Sequence, residues 1–343
     1  MATIYQVSEL AGVSVATVSR VLNNNAKVSD RTREKVEKAM QELGYRPNSI
    51  AQSLASNRTN SVGVLVAEIH GPFFGAMMSG IESEFRALGK HVIFTTGHSN
   101  EQREKEGIDF LISRNCDALI VHSEALSDAY LRKLSKGNTP IFLISRHISE
   151  LADRCISLDN EHGGYIATKA LIDQGHRDIA YISGPLFKSD ANQRLEGHKR
   201  ALAEYNIAFD QDLVYYGDFQ ETGGADGLKY FIDSKQHFTA LACGNDEMAS
   251  GAMKLAREHG FSLPDDLSII GFDNVFFTSY LYPRLSTINN PVDDMGHMVA
   301  RMVLKDVYQC KTKSIQRLFT PSYVPRDSLA PYATSSSARK ASS

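Results

Sequence analysis

The sequence predicts an α/β protein with an all-α helix-turn-helix head at its N-terminus and a two-lobed body built on two parallel sheets. Two observations lead to this fold class. The first sixty residues contain short amphipathic helical segments and no strand-like run, whereas from Ser61 onward apolar runs alternate with helical stretches. About ten such runs in a chain of 343 residues exceed what one ordinary core accommodates, so we expect two sheets and two lobes.

Changes in composition divide the chain into four segments. Residues 1–46 form the helical head, and residues 47–60 form a marginal helix followed by a polar linker, which we interpret as a hinge. Residues 61–328 form the body. Residues 329–343 end in a polar stretch rich in Ser and Ala, which we expect to be a disordered tail.

Two short helices joined by a tight turn carry the function predicted for the head. Val7, Leu10 and Ala11 share one face of the first helix, and Ser14 is placed to cap a second helix over Val15 to Asn23. The second helix begins with small and polar side chains, as a helix that enters the major groove of DNA requires. An ordinary helical hairpin has the same spacing, so this pattern alone leaves both interpretations open.

The chemistry and charge of the head favour DNA recognition. Arg20 can bind a guanine edge or a phosphate, whereas Val15 and Ala16 offer only apolar contacts, for example to a thymine methyl group. Residues 1–60 hold eight Lys or Arg against five Asp or Glu, a net charge of +3, while the whole chain carries −3. A basic head on an acidic body favours nucleic-acid contact through the head.

Apolar runs and helical spacing predict the elements of the body. The predicted strands are 61–69, 91–97, 118–123, 140–145, 155–159, 178–184, 213–218, 240–245, 268–273 and 285–289. Helices predicted between them include 74–88, 101–113, 161–174, 193–205, 246–259 and 293–308. Continuous apolar strands alternating with helices are typical of parallel sheets covered on both faces, and such folds bind ligands at the carboxyl ends of their strands.

Specific motifs add a family resemblance. The motifs AGVS-x-x-TVSRVLN, S-x-x-TREKV and LGYRPN are similar to those of the lactose/galactose repressor family of transcriptional regulators, and the resemblance continues to about residue 328. It implies that the body has the two-lobed fold of periplasmic sugar-binding proteins. The stretches GPFFGAM, NEQREKEGI and ALIVHSEALSD resemble the galactose repressor branch, whereas KSDANQRLEGHKRALAEYNIA resembles regulators of β-glucosides equally well.

For the head, the resemblance implies DNA contacts position by position. Three residues match those that read bases: Val15, Ala16 and Arg20. Five match residues that contact phosphates or position the head: Ser14, Thr17, Ser19, Asn23 and Tyr45. Five match a hinge helix that folds on DNA: Asn48, Ala51, Gln52, Leu54 and Ala55. The resemblance places Leu54 in the minor groove as a kinking wedge, although an ordinary linker leucine is the alternative.

For the body, the resemblance implies a ligand-binding arginine, a carboxylate and an amide for hydroxyl groups, and an aromatic wall. These are Arg194, Asp273, Asn245 and Phe219. Four more candidates lie near strand ends: Phe73, Phe74, Arg146 and Asn290. The set suits a sugar, because hydroxyls need groups that donate and accept and a pyranose packs its C–H face on an aromatic ring.

Each of these candidates also has a purely structural interpretation. Phe73 or Phe74 could belong to the core. Arg194 and Asp273 could form a structural ion pair. Asn245, together with the neighbouring Asp246, could cap the helix that follows, since both residue types are favoured at helix N-termini.

The sequence lacks the signatures of several other classes of protein. The chain has no P-loop, GxSxG or HExxH motif, so we predict neither an enzyme nor a cofactor. A secreted sugar-binding protein would share the body but not the head, and the N-terminus has no signal-peptide pattern. No apolar run reaches the about 18 residues of a membrane span. The four widely spaced cysteines predict reduced thiols rather than a metal site.

These observations predict a cytoplasmic, homodimeric repressor of carbohydrate-utilisation genes. It would be joined through its bodies and released from a palindromic operator by galactose or a related sugar or glycoside. A corepressor-dependent regulator that binds a nucleobase or another small metabolite remains the alternative. The tail lacks a leucine heptad, so a tetramer assembled through such a segment is not expected.

Overall fold

The structure is a computed structural model that describes residues 2–22, 28–46, 58–312 and 314–332. It divides the chain into two compact units, Met1–Asn60 and Ser61–Ser343. Several predicted DNA contacts lie outside the described residues: Asn23, Asn48, Ala51, Gln52, Leu54 and Ala55.

The head consists of three helices: α1 (Ile4–Ala11), α2 (Val15–Leu22) and α3 (Asp30–Glu42). Thr3 caps α1 in a reciprocal capping box with Gln6, and Gly12 ends the helix with φ +63°. Ser29 caps α3 by accepting a hydrogen bond from the backbone N–H of Thr32. Side-chain caps therefore set the starts of α1 and α3.

A small apolar core holds the three helices together. Its fully or nearly fully buried members come from all three helices: Val7, Ala11, Val18, Val21, Val36 and Ala39. The predicted inward position of Leu10 is wrong, because its side chain is exposed. Val7 and Ala11 lie four residues apart on the buried face of α1, and Leu10 projects to one side of that face.

The body contains these elements in chain order. The strands are β1 (Ser61–Val66), β2 (His91–Thr96), β3 (Ala118–Val121), β4 (Ile141–Ile144), β5 (Cys155–Leu158), β6 (Ile179–Ser183), β7 (Val214–Tyr216), β8 (Ala240–Cys243), β9 (Ser268–Ile270), β10 (Thr287–Asn289), β11 (Leu318–Phe319) and β12 (Ser322–Val324). The helices are α4 (Pro72–Ala87), α5 (Glu101–Ser113), α6 (Asp128–Leu134), α7 (Asn160–Asp173), α8 (Ser189–Glu204), α9 (Glu221–Asp233), α10 (Asp246–Glu258) and α11 (Val292–Asp306).

Two parallel sheets define the two lobes. The first lobe has a six-stranded sheet in the order β11-β5-β4-β3-β1-β2, and the second has a four-stranded sheet in the order β7-β6-β8-β9. A separate antiparallel pair joins β10 to β12. The chain passes between the lobes after β5, after β10 and after β11. All ten predicted strands are present, whereas the short β11 and β12 were not predicted.

The last described residues pack on the second lobe. The backbone N–H of Tyr332 donates to the carbonyl of Gln174 over 2.7 Å, and its ring stacks on that of His176 with centroids 5.4 Å apart. Residues 329–332, which the sequence assigned to the disordered tail, are thus part of the packed body. The remaining tail residues, 333–343, lie outside the described residues.

Glycines allow neighbouring helices to approach at backbone distance. A Cβ atom on Gly164 of α7 would collide with the carbonyl of Arg194 on α8, and one on Gly197 of α8 would collide with the carbonyl of Glu161 on α7. Two further helix pairs show the same reciprocal contact, at Gly224 with Gly251 and at Gly80 with Gly296. Each lobe is therefore built around helix pairs whose separation excludes even a methyl group.

Replacing Gly197 by alanine is expected to destabilise the body by about 1–3 kcal/mol, because the new methyl group forces α7 and α8 apart. Thermal unfolding followed by circular dichroism measures the change. Gly75→Ala is the matched control: this glycine lies exposed in α4, and no atom comes within 4 Å of the place that its new methyl group would take. It should raise stability by about 0.5–1 kcal/mol through helix propensity. Equal shifts in both variants would contradict the packing argument.

Candidate functional site

The start of α2 is ordered by its own side chains. The hydroxyl of Ser14 accepts a hydrogen bond from the backbone N–H of Thr17 over 3.2 Å and lies 2.9 Å from the Thr17 hydroxyl. Val18 and Val21 face the core of the head. Ala16 and Arg20, one turn apart, are exposed on the other side of the helix. The helix thus presents one small apolar and one cationic side chain on the same surface.

The other residues of the head that were predicted to contact DNA differ in their exposure. Val15, Thr17 and Ser19 are half-buried, and Ser14 is exposed at the turn. Tyr45 is half-buried and packs against the core of the head. This packing makes Tyr45 a residue that holds the end of α3 in place, with part of its ring left accessible.

A cavity of about 270 Å³ lies between the two lobes of the body. Its walls are formed by residues that follow the carboxyl ends of β1, β2, β3, β6, β7, β8 and β9. This is the position at which parallel α/β folds bind ligands. Six predicted ligand-binding residues line it: Phe73, Phe74, Arg194, Phe219, Asn245 and Asp273.

Arg194 is the buried cation of this cavity. Its side chain is 4% exposed. Its Nε donates to Asn160 Oδ1 over 2.9 Å, and its Nη1 donates to the carbonyl of Gly244 over 2.6 Å. The guanidinium carbon lies 3.7 Å from the centroid of the Phe272 ring. The remaining nitrogen, Nη2, lies 3.5 Å from Asp273 Oδ1, at the cavity wall.

Asp273 is the carboxylate opposite Arg194. Its backbone has φ +109°, a strained conformation of the kind found at ligand sites. Burial raises its pKa to about 6, although the charge of Arg194 and a hydrogen bond from Asn290 act in the opposite direction. Asn290 Nδ2 donates to Asp273 Oδ1 over 3.0 Å. Asn290 does not line the cavity, so it orients Asp273 rather than meeting a ligand directly.

Phe219 forms one wall and is held by Asn245. The backbone of Phe219 has φ +71°, and its ring lies against Gly184, where any Cβ atom would collide with it. Asn245 Nδ2 donates to the carbonyl of Phe219 over 2.8 Å, while Asn245 Oδ1 accepts from the backbone N–H of Met248. Asn245 thus caps α10 and positions Phe219 at the same time.

Asp246 does not share this capping role, contrary to the sequence-based alternative. Its carboxylate is buried and accepts hydrogen bonds from the backbone N–H of Val275 over 2.9 Å and from the Thr287 hydroxyl over 2.6 Å. Burial, together with the charge of Asp273, raises its pKa well above the usual value. Asp246 therefore ties the loop after β9 to β10.

Phe73 and Phe74 form an aromatic wall on the first lobe. Their ring centroids lie 5.2 Å apart in an edge-to-face arrangement, and the Phe74 ring lies 5.3 Å from His122. His122 also lines the cavity, and its buried Nδ1 atom has no hydrogen-bond partner among the described residues. Both phenylalanines contact the large core as well, so they serve packing and cavity wall together.

Arg146 lies outside the residues that line the cavity. Its guanidinium is held by Asp128, with Nη2 2.6 Å from Asp128 Oδ1, and by the carbonyl of Ser123. Arg146 therefore makes contacts within the first lobe in place of the predicted ligand contact.

Sequence reasoning missed several charged residues of the cavity. They are Glu68, Glu124, Lys188, Asp190, Asp218 and Glu247. All lie within seven residues of a strand end, but so do many solvated residues, and no local pattern separates the two groups. The lining holds six carboxyl groups, two histidines and two basic side chains, those of Lys188 and Arg194. Acidic groups are therefore the most numerous charged groups of the cavity.

Other kinds of site are not found in the described part of the chain. No group of His, Cys, Asp or Glu residues there has the arrangement of a metal site. None of the helices described has the length and apolar character needed to cross a membrane. All four cysteines are free, and three are buried.

A helix-turn-helix head joined in one chain to a two-lobed body with a ligand cavity defines a class of DNA-binding regulators that respond to small molecules. Residues 3–48 match the family model for bacterial regulatory proteins of the lacI family, and residues 168–329 match the model for a periplasmic binding protein-like domain.

Whole-chain relatives agree with both matches. The HTH-type transcriptional regulators GalR of Salmonella typhimurium (strain SL1344) and Escherichia coli (strain K12) are each 40% identical to the chain over 330 residues, 96% of each protein. A crystal structure of the lac repressor dimer bound to operator and the anti-inducer ONPF matches with a TM-score of 0.84 and 29% identity, over 96% of this chain and 99% of that one. The chain therefore belongs to the LacI family, as a helix-turn-helix transcriptional repressor similar to GalR.

The predicted family and the absence of enzymatic function agree with these relatives, which are named as transcriptional regulators. The two-lobed body with two parallel sheets is likewise confirmed.

The partly buried carboxyl group of Glu247 is expected to make the stability of the folded protein depend on pH. Burial, followed by the charges of nearby acidic residues, raises its pKa from 4.5 to about 7. Between these values the folded chain binds a proton that the unfolded chain lacks, so this carboxyl makes stability fall as pH rises through the interval. Glu247→Gln should flatten the decline in melting temperature between pH 5 and 7 and raise that temperature at pH 8 by about 2 °C.

The control for this experiment is Glu258→Gln, at the exposed end of the same helix, α10. Differential scanning calorimetry across pH 5 to 8 compares the three proteins. A decline as steep in Glu247→Gln as in the unchanged protein would contradict the assignment of this titration to Glu247.

Proposed function

We propose that the protein represses carbohydrate-utilisation genes by binding a palindromic operator as a homodimer, and that D-galactose or a related uncharged sugar releases it. Such a regulator acts where the chromosome is, in the cytoplasm. The observation that carries the proposal is the cavity, where Arg194 and Asp273 face a space walled by Phe73, Phe74 and Phe219.

The polar groups of the cavity suit a polyhydroxylated ligand. Nη2 of Arg194 can donate to a hydroxyl oxygen and the Asp273 carboxylate can accept from a hydroxyl hydrogen, so the pair can bind neighbouring hydroxyls. A sugar hydroxyl would also give His122 Nδ1 the partner that this buried atom lacks. The three phenylalanine rings offer apolar surfaces for the C–H groups of a pyranose.

The charge of the cavity favours an uncharged ligand over an anionic one. Glu124 is paired with Lys188, and Nη2 of Arg194 lies 3.5 Å from Asp273 and 3.9 Å from Asp190. The remaining carboxyl groups are those of Glu68, Asp218 and Glu247. A phosphorylated sugar would place its negative charge among these groups in a half-enclosed space, where charges are screened weakly.

The exposure of Ala16 and Arg20 on α2 supports their assignment as base contacts, together with the half-buried Val15 at the start of the helix. The hydroxyl groups of Ser14, Thr17 and Ser19, from the turn before α2 to its second turn, are available to contact phosphates. The hinge contacts proposed for residues 47–60, with Leu54 as the minor-groove wedge, rest on the resemblance of their sequence.

Fluorescence anisotropy of the full-length protein on a galactose-type palindromic operator tests the proposal at fixed salt, because phosphate contacts make affinity salt-dependent. D-galactose should lower the anisotropy, and galactose 1-phosphate should not. Arg20→Ala should weaken operator binding by about 10- to 100-fold. Arg194→Met should keep operator binding and abolish the response to galactose, whereas Arg146→Met should keep both.

Each other result leads to a different conclusion. Release by a β-glucoside alone would support the proposed repressor function and contradict galactose as the effector. Tighter binding with a nucleobase would identify a corepressed regulator. A normal galactose response in Arg194→Met would contradict the site assignment, and no specific operator binding under any condition would contradict the proposed function itself.

An exposed aromatic patch on the second lobe supports the proposed homodimer. It comprises Phe276, Tyr280 and Tyr282, whose exposed fractions are 70%, 79% and 87%. Three large aromatic side chains on one short loop form an apolar surface of the kind that marks a protein interface.

Tyr280→Glu combined with Tyr282→Glu is therefore expected to convert a dimer into a monomer, because it places two charges in an apolar interface. Light scattering coupled to size-exclusion chromatography measures the mass without DNA. Tyr5→Glu, at a similarly exposed tyrosine of the head, should leave the mass unchanged. A double variant that retains the dimer mass would exclude this patch as the interface.

A further inference from the structure

An ion pair joins the two lobes across the cavity. Lys188 Nζ lies 2.8 Å from Glu124 Oε2. Glu124 follows β3 of the first lobe, and Lys188 precedes α8 of the second. Both line the cavity, and their side chains are only 12% and 13% exposed. Solvent and salt therefore screen this pair less than they screen a surface pair.

The Glu124 side of the contact is fixed to the first lobe. Its carboxylate also accepts a hydrogen bond from the Ser99 hydroxyl. Its backbone N–H donates to the fully buried carboxylate of Glu104 over 3.1 Å, and so does that of Ala125. The Ser123 hydroxyl donates to the same carboxylate over 2.6 Å. Glu104 thus holds the whole loop that carries Glu124.

The Lys188 side is fixed to the second lobe. The backbone N–H of Lys188 donates to the carbonyl of Pro185 over 3.0 Å, and the Lys188 carbonyl accepts from Asn192 Nδ2 over 3.2 Å. Its ammonium group lies 5.2 Å from the centroid of the Phe219 ring. Lys188 directly precedes α8, the helix that carries Arg194. Movement of the second lobe therefore moves Lys188 and Arg194 together.

The other contacts between acidic and basic side chains at the cavity lie within single lobes. Arg194 contacts Asp273 and Asp190 in the second lobe, and His70 contacts Glu68 in the first. Separation of the lobes would leave these contacts intact and would break the pair between Lys188 and Glu124. The free energy of this pair therefore differs between the open and closed arrangements.

We propose that Glu124 and Lys188 are positioning residues for effector binding, which hold the lobes closed around the ligand while Glu104 and Ser99 keep Glu124 in place. The inference rests on the proposed function for the identity of the effector. A ligand that contacts both lobes binds the closed arrangement, so its apparent affinity falls in proportion to the fraction of closed molecules. The hydrogen bond from Ser99 and the adjacent Phe219 ring offset part of the desolvation of the two charges.

A double-mutant cycle on the full-length dimer tests the proposal. Calorimetric titration with D-galactose should show binding about tenfold weaker in both Glu124→Gln and Lys188→Met, since each leaves the other charge buried and unpaired. The double variant should be no weaker than the weaker single variant, because the interaction is lost only once. The exchange Glu124→Lys with Lys188→Glu should recover part of the affinity.

The matched control is an ion pair within the first lobe. Arg301 of α11 and Glu84 of α4 lie 2.6 Å apart and do not line the cavity. Arg301→Met and Glu84→Gln should leave galactose binding unchanged. A purely structural role of Glu124 and Lys188 would lower the melting temperature of their variants without the non-additive loss of affinity. Additive losses, or unchanged affinity in all the variants, would overturn the proposal.

A ligand-free measurement separates failure of this proposal from failure of the proposed effector. Spin labels at the exposed positions Gln102 on α5 and Asp226 on α9, in a Cys310→Ser background, report the distance between the lobes. Without any sugar, the mean distance between the two spin labels should be longer in the Glu124→Gln, Lys188→Met double variant than in the protein with the unchanged ion pair. If D-galactose fails to bind but this lengthening is seen, the effector is wrong and the closure contact holds. Equal distances would overturn the closure contact.

Discussion

The buried charge of Arg194 is the interaction on which the cavity depends. A guanidinium that is 4% exposed destabilises the fold unless every donor finds a partner. Here the partners come from three separate segments: Asn160 at the start of α7, the carbonyl of Gly244 after β8, and Asp273 after β9. Phe272 covers one face of the guanidinium. One side chain thus sets the relative positions of the strand ends that form the second-lobe wall.

The close approach of helices at glycine pairs makes this arrangement possible. Gly164 of α7 and Gly197 of α8 let these two helices pack at backbone distance. At this distance Arg194 of α8 can donate a hydrogen bond to Asn160 of α7. Interiors packed this tightly resist gradual deformation. We therefore expect each lobe to move as a unit, so that a ligand between the lobes would change their separation more than their internal structure. Contacts that cross the cavity, such as that of Lys188 with Glu124, then matter more than contacts within a lobe.

The elements of the fold could be predicted from local patterns, and the polar wall of the cavity only in part. Apolar runs located the ten longer strands, but β11 has two residues and carries no periodic signal. Candidates after strand ends included Arg194, Asp273 and Phe219, which the structure brings to the cavity. Arg146 also follows a strand, but its guanidinium binds the exposed carboxylate of Asp128 and does not line the cavity. Asp128 lies eighteen residues earlier in the chain, and no local pattern predicts this contact.

The sequence by itself determined the classes of element, the cap of α2 at Ser14, the basic head on an acidic body, and the family. These features depend on residues that are near each other in the chain, where spacing and side-chain chemistry act directly. Only the tertiary structure decided that Asn245 holds Phe219, that Asn290 orients Asp273, and that Lys188 meets Glu124. Those partners lie between 17 and 64 residues apart in the chain. The first two contacts exist because strand ends that are distant in the chain lie close together within the second lobe, and the third exists because the two sheets face each other across one cavity. No local pattern in the sequence records either arrangement.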